Sequence, residues 1–368
     1  MIRAVTVSPI NDLLVQVEGE LVSSGIRGEV VRVEVTGKGA VQLQLVLGNR
    51  HCWFAWDGGE LSELEATKDS RVPLADRLND ASFAAGATLV SYRPGRRLTL
   101  IDHSAKYPRI LKGFRHGHLE RKIHKYEIAH AAFAGRGVHV PDVTEYDAAD
   151  DALMMTLESG EPLRMSADTT VLFHAIGEGL RDFQDHDALA DERPFDGSDE
   201  LQVIDKRAAG LRQVGAELPE HWSRLRERLA DALSGLSPAV VGLAHRDLHD
   251  KQFLRQPDRV ALLDFDLMTR ADVALDPANF LAHMVLRKMQ GLKGITQASI
   301  DACGKKFLQG LARNEEPGFW ERLRFYQATT FCRLALVYAV RPRWASTVPD
   351  LATMGNRCLD DLNRIKGN

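Results

Sequence analysis

Residues 245–266, HRDLHDKQFLRQPDRVALLDFD, constrain this chain more than any other stretch. The apolar run Val260-Ala261-Leu262-Leu263 reads as a buried strand, and it closes on Asp264 and Asp266. Asp247 and Gln252 precede it in a polar loop. A fold that buries this strand can bring one loop carboxylate, an amide and two strand-end carboxylates within a few ångströms of one another. Phosphoryl transfer asks for such a set: a carboxylate to accept the nucleophile's proton, and an amide with a second carboxylate to hold magnesium against nucleotide phosphates. His245, Asp247 and His249 at alternating positions also allow a transition-metal site, and a structural polar turn is a third reading.

The bulk of the chain narrows these choices. With 368 residues there is room for two lobes, each with its own core. A formal net charge of -4 and a pI near 6.4 argue against a nucleic-acid partner, which would call for a basic face. Cys52, Cys303, Cys332 and Cys358 have no CxxC spacing, so neither a zinc site nor a disulfide framework is expected. The N-terminus lacks the apolar run of a signal peptide, and the longest apolar stretch, 331–340, is interrupted by Arg333. The expectation is a cytoplasmic protein with no membrane partner.

Residues 29–57 read as a β meander: 30–36 alternates, Lys38 sits in a Gly-Lys-Gly turn, Val41–Leu47 alternates again, and 51–56 is a third apolar-rich run. Pro73–Asn79 suits a short helix inside a connection. A second β block spans 89–92, 98–101 and 107–114, with a turn at Pro94-Gly95. A helix is expected over 119–134, stopped by Gly135 and Gly137, then strands over 143–146 and 152–157. From Asp168 onward the pattern is mostly helical.

Phosphate chemistry also needs a cation held in place by a carboxylate from a neighbouring helix. Lys112 is the charged residue of an otherwise apolar strand, and Glu127 lies in the following helix, so the two are the candidate phosphate-anchoring pair. Glu120 is the competitor for the carboxylate role, and a snorkelling edge lysine is the bland reading of Lys112. No GxGxxG loop precedes it; the hairpin Tyr92-Arg93-Pro94-Gly95-Arg96-Arg97 could meet phosphates through its amides and arginines, or its arginines merely solvate the turn.

With these residues in view, the chain resembles the aminoglycoside phosphotransferase and choline kinase-like superfamily, small-molecule kinases of the protein-kinase-like fold. The resemblance rests on His245-Arg246-Asp247-Leu248-His249-Asp250-Lys251-Gln252, on Leu263-Asp264-Phe265-Asp266 and on the helix start Leu275-Asp276-Pro277. Three positions depart from the family's usual residues: Arg246 for Gly, Gln252 for Asn, Asn279 for Asp. Only nine residues, 267–275, separate Asp266 from Asp276, too few for the peptide-docking segment of a protein kinase.

The resemblance implies an α+β, bilobal protein-kinase-like fold with a β-rich N-lobe, an added N-terminal β meander and a mainly helical C-lobe. The expected domains are residues 1–86, a β-rich extension packed on the N-lobe; 87–158, the nucleotide-binding N-lobe; and 159–368, the C-lobe with catalytic loop and acceptor site. It implies ATP as donor, GTP not excluded, with Mg2+ on Gln252, Asp264 and Asp266. Asp247 would be the catalytic base, Lys112 and Glu127 the phosphate anchors, and backbone groups of Thr156, Leu157 and Glu158 the adenine contacts. The partner is a small-molecule hydroxyl substrate such as an aminoglycoside, a sugar or an amino alcohol. An acidic run over 182–205 would draw a cationic acceptor, or is a solvated loop. An exposed strand edge in the extension would allow a homodimer. The alternative is a kinase-fold binding or regulatory protein with weak or no turnover.

Overall fold

The computed structural model describes residues 10–36, 40–133, 137–216, 218 and 220–367. The turn expected at Lys38 and the stop expected at Gly135 lie outside the described residues. The chain opens with α1 (Asn11–Ser23), which the strand-centred reading leaves out. Leu13, Leu14, Val17 and Leu21 of α1 are buried in the same apolar cluster as the inward residues of an antiparallel sheet. That sheet comprises β1 (Glu29–Val35), β2 (Val41–Leu47), β3 (Arg50–Trp56) and β4 (Leu61–Glu63), in that spatial order. Its alternation is physical: Val41, Leu43 and Leu45 are buried, while Gln42 and Gln44 between them are half-buried. A lone meander cannot cover its own apolar face, and α1 supplies the cover.

Two 3-10 turns, Ala66–Lys68 and Pro73–Asn79, and the short α2 (Ala81–Ala85) lead into the second sheet. Its strands are β5 (Ala87–Arg93), β6 (Arg97–Asp102) and β7 (Arg109–Phe114); after α3 (Leu119–Ala132) and β8 (Val138–His139) come β9 (Val143–Asp147) and β10 (Ala152–Thr156). The order is β5-β6-β7-β10-β9, so β7 is central and Lys112 pairs across to Thr99 and Leu153. A Cβ at Gly113 would lie 2.6 Å from the Cβ of Leu74, so the absence of a side chain there lets the Pro73–Asn79 turn sit directly on β7.

The crossing to the second lobe runs through Leu157 to β11 (Glu161–Pro162). Helices α4 (Thr170–Gln184), α5 (Gly197–Gln213) and α6 (Glu220–Ser234) follow. Four short strands carry the loops of interest: β12 (Val241–Ala244), β13 (Phe253–Arg255), β14 (Val260–Leu262) and β15 (Thr269–Asp272). Then come α7 (Leu275–Met289), α8 (Gln297–Leu311), α9 (Phe319–Ala339) and α10 (Val348–Gly367). Buried residues surround α9 on nearly every side, which makes it the axis of the C-lobe core. Among the described residues, no helix is long and apolar enough to cross a membrane, and all four cysteines are buried free thiols.

Within the described part of residues 10–86, two segments have different neighbours. Val72, Leu74 and Ala75 form a small core with Leu98, Leu100, Leu111, Ala152 and Met154, so the 66–85 segment does cover the Lys112 sheet. Among the described residues the meander shares no ladder with that sheet and reaches it through the Glu34–Arg93 ion pair. The Val33 N–H instead donates to the Val340 carbonyl at 2.9 Å, just past the end of α9, and Val35 lies against Gly210 of α5. With α1 closing its apolar face, the sheet is free to satisfy its β1 edge on the C-lobe.

Candidate active site

The catalytic loop lies between β12 and β13 and is fastened from below by one face of α7. Asp276, fully buried at the first turn of that helix, accepts the backbone N–H of His245 at 2.6 Å and of Arg246 at 2.8 Å. One turn on, the Asn279 amide donates to the Leu248 carbonyl at 2.8 Å, and its oxygen accepts from Arg333 at 2.7 Å. His283 stacks on His249 with ring centroids 4.8 Å apart, and Arg287 holds Asp250 through bonds of 2.8 to 2.9 Å. Positions 276, 279, 283 and 287 share one helical face, so α7 is a ruler laid along the loop. Asn279 suits its place because it must donate and accept at once; an ionised Asp could only accept.

His245 ties the loop to the strand beyond it. Its Nε2 donates to the Leu263 carbonyl at 2.9 Å while Nδ1 accepts the Asp247 N–H at 3.3 Å, which selects the Nε2–H tautomer. The Leu263 N–H in turn donates to the Gln252 carbonyl at 2.9 Å, so Gln252 is anchored beside the residue that precedes Asp264. Two non-glycine residues here adopt left-handed backbone, Arg246 at φ 67° and Asp264 at φ 65°. Such conformations cost roughly 1–2 kcal/mol each for a residue with a Cβ. The paired bonds from Asp276 offset that cost at Arg246, whose guanidinium also lies 3.6 Å over the Phe195 ring.

Across the cleft, Lys112 Nζ donates to Asp264 Oδ1 at 2.8 Å, to Asp266 Oδ1 at 2.7 Å and to the Tyr126 hydroxyl at 3.1 Å. Arg97 Nη1 reaches the other oxygens of both carboxylates, at 3.2 and 2.8 Å. Burial alone would lift the Asp264 pKa; Lys112 and then Arg97 outweigh it and hold the carboxyl well below the usual range. Burial likewise works against the Lys112 charge, and Asp264, Tyr126 and Asp266 overcome it, so the ammonium is held above its ordinary pKa. Lys122 and Lys125 of α3 donate to the Asp266 carbonyl at 2.8 and 3.3 Å. Burial, with Lys122 and Arg121 nearby, brings Lys125 down to about 8.

The Lys112–Glu127 pair does not form. The Glu127 side chain is 65% exposed and approaches only His124, at 4.0 Å, and Glu120 is exposed as well. The turn of α3 that faces Lys112 presents Tyr126, whose phenol is pushed up to about 12 by burial. Lys122, Lys125 and Tyr126, at i, i+3 and i+4, are the α3 face turned toward Lys112 and Asp266, which spacing from Lys112 did not point to; its signal was two lysines in register with a buried aromatic. The adenine assignment also needs revising at Thr156, whose N–H donates to the Asp142 carbonyl at 3.0 Å. Glu158 is clamped by Thr156, His139 and Gln256, while Leu157 stands exposed at the lobe crossing.

Asp247, Asp264 and Asp266 line a common cavity of about 330 Å³ with Arg93, Arg96, Arg97, Arg115, His118 and Lys122. Asp247 is partly exposed to it, and its carboxylate lies 3.8 Å from Nε2 of His249, an imidazole whose pKa burial holds below its ordinary value. Carboxylates meeting a dense set of cations in one cleft can bind and orient polyphosphate.

The family model of the phosphotransferase enzyme family matches residues 73–326. The chain belongs to this family. The phosphotransferase fold is repeated in solved structures of low sequence identity. A putative aminoglycoside phosphotransferase from Ralstonia eutropha is 17% identical, with a TM-score of 0.55 over 80% of this chain and 98% of that one. A choline kinase from Streptococcus pneumoniae is 13% identical, with a TM-score of 0.53 over 77% of this chain and 98% of that one. An amicoumacin kinase in complex with AMP-PNP and Ca2+ is 13% identical, with a TM-score of 0.51 over 77% and 92%. These likenesses establish the bilobal, kinase-like α+β architecture. No curated protein matches the sequence of this phosphotransferase.

Proposed function

We propose that this phosphotransferase moves the γ-phosphoryl group of ATP to a hydroxyl of a small molecule. The observation that carries the reading is the pairing of Lys112, from the central strand of one lobe, with Asp264 of the other, in the cavity that also holds Asp247. Asp247 orients the acceptor hydroxyl and takes its proton late, since a largely dissociative transition state needs positioning more than deprotonation. Lys112, Arg97 and Lys122 bind the phosphates and balance the charge that builds on the transferred group. The backbone of Leu157 and Glu158, at the lobe crossing, pairs with the adenine edge. The kinase solved with AMP-PNP and Ca2+ supports nucleotide and divalent-metal use in this fold.

The donor set fits a magnesium ion: two carboxylates, Asp264 and Asp266, and the Gln252 amide are hard oxygen ligands. When bound, the metal supplies charge neutralisation of the β and γ phosphates. The four oxygens of Asp264 and Asp266 are each bonded to Lys112 or Arg97. Arrival of the phosphates gives those two cations new anionic partners and frees carboxylate oxygens.

Incubation with Mg2+, γ-labelled ATP and a panel of aminoglycosides, sugars, amino alcohols and nucleosides tests the reading; transfer of label to a hydroxyl is expected, and GTP is run as a second donor. The rival reading, a kinase-fold binding protein of little turnover, draws on Gln252, on the missing glycine loop and on the lack of an α3 carboxylate at Lys112. Nucleotide binding with neither transfer nor slow ATP hydrolysis would favour it.

A further inference from the structure

A second cavity, of about 480 Å³, lies where the N-terminal sheet, the β5–β6 hairpin, α5 and the end of α9 meet. Its charged lining is one-sided. Arg32, Arg93, Arg96, Lys206, Arg207 and Arg341 face it, against the single carboxylate of Glu34. Glu34 is already committed, to Arg32 at 2.5 Å and to Arg93 at 2.7 Å. Among the described residues, Arg96, Lys206, Arg207 and Arg341 have no carboxylate partner, and the buried Nε of Arg93 has no hydrogen-bond partner at all. A chain with net charge -4 thus gathers an excess of five positive charges around one hollow.

Burial and neighbouring cations both work against the charge on these groups. Desolvation, offset by Glu34 but reinforced by Arg93 and Arg341, brings Arg32 down to about 10. The Arg207 side chain is exposed along the cavity, yet the surrounding protein and then Arg333 bring it down to about 10 as well. Guanidinium groups held below their ordinary pKa mainly by burial, and to a lesser degree by like charge, would be relieved by a bound anion.

The acidic run 182–205, the natural lure for a cationic acceptor, is largely spent on the protein itself. Asp185 binds Arg181 and Arg313, Asp196 caps α5, Asp199 binds Arg193, and Glu200 binds Arg333. Arg93 and Arg96 line both this cavity and the one that holds Asp247 and Asp264, so the two hollows share a wall. We propose that the acceptor is itself anionic, a phosphate-bearing small molecule such as a sugar phosphate, whose charged group is held in this second cavity while its hydroxyl is presented at Asp247. This rests on the phosphotransferase reading above and names the class of its substrate. Guanidinium groups suit the task because their fork geometry matches phosphate oxygens.

The test is calorimetry on the full chain at constant ionic strength, with saturating Mg2+ and AMP-PNP so that the nucleotide cleft is filled. Inorganic phosphate and glucose 6-phosphate are expected to bind saturably and glucose not at all. Arg207→Gln and the double variant Lys206→Gln/Arg207→Gln should weaken both phosphate probes about tenfold or more, with AMP-PNP binding unchanged. In transfer assays with matched pairs of acceptors, each with and without a phosphate ester, the anionic member should have the lower KM. The variants should raise that KM while leaving the KM for ATP alone. Probes that bind no better than glucose, or bind the variants as tightly as the wild type, overturn the proposal. Neutral acceptors preferred by both wild type and variants overturn its acceptor half. Failure of the phosphotransferase reading has a different signature: phosphate probes bind and are lost in the variants, yet no acceptor of either kind is labelled.

Discussion

At the scale of single residues, the site divides into the proposed proton acceptor and groups that manage charge. Asp247 is exposed to the cleft and lacks a close cationic partner, as a proton acceptor requires. Asp247→Asn should leave AMP-PNP affinity within about twofold while kcat falls on the order of 10²- to 10⁴-fold; unchanged turnover would place the base elsewhere. Lys125 offers a pH signature. Its pKa of about 8 lies below the ordinary lysine value, so between about 8 and 10.5 the folded protein has released a proton that the unfolded chain keeps. In that window this lysine makes stability rise with pH. Phosphates arriving against Arg97, Lys112 and Lys122 favour the charged form, so nucleotide binding should take up a proton near pH 8.5 and weaken as pH rises above about 8. Calorimetry in buffers of different ionisation enthalpy reads that uptake, and Lys125→Met should abolish it; equal uptake in the variant would refute the assignment.

At the scale of elements, α7 is the part whose failure would be most informative. Arg287 is nearly fully buried and its partner Asp250 almost as deeply. Arg287→Leu removes one member of a buried pair, and an uncompensated buried carboxylate costs roughly 3–5 kcal/mol. The loop should loosen with it, so the melting temperature and kcat should fall together. Loss of kcat at an unchanged melting temperature would mean that Arg287 acts on substrate instead. The elements themselves were largely legible in the sequence. Period-two apolar runs marked β2 and β3, Pro73–Asn79 declared itself by its proline, and the Asp-Pro step marked the start of α7. Leu13, Leu14, Val17 and Leu21 recur at helical spacing too, but Val15, Val17 and Gly19 weaken helix propensity, and α1 went unread. The contact between Lys112 and α3 was illegible for another reason. Spacing alone gave Glu127, whereas the rotation of α3 about its axis, set by Ala129, Ala132 and Phe133 packing inward, turns Tyr126 and Lys122 toward the lysine instead.

At the scale of the whole molecule, the described residues between 10 and 86 are two coverings with different clients, and two truncations separate them. A chain beginning at Ala87 loses Val72, Leu74 and Ala75 and bares Leu98, Leu100, Leu111 and Met154 on the nucleotide lobe. It should aggregate or fail to bind AMP-PNP. A chain beginning at Ala66 keeps that covering and loses only α1 and the first sheet. It should bind AMP-PNP but melt several degrees lower, since each kcal/mol lost is worth about 2–4 °C in a chain of this size class. Equal behaviour of the two truncations would contradict the division. Which lobe each covering serves could not be read beforehand, because an apolar face records that it is buried and not what buries it.

The bonds made by neighbouring residues of β1 have a mechanical consequence. Val33 is fixed to Val340 of the C-lobe, and Glu34 reaches Arg93 of the N-lobe. This strap adds a non-covalent link between the lobes to the covalent crossing at Leu157 and to the bonds that Lys112 and Arg97 make with Asp264 and Asp266 across the cleft. A pin set away from the cleft restricts the directions in which one lobe can tilt on the other for as long as it holds. Glu34→Gln, which weakens one pin by releasing Arg93, would loosen that restriction.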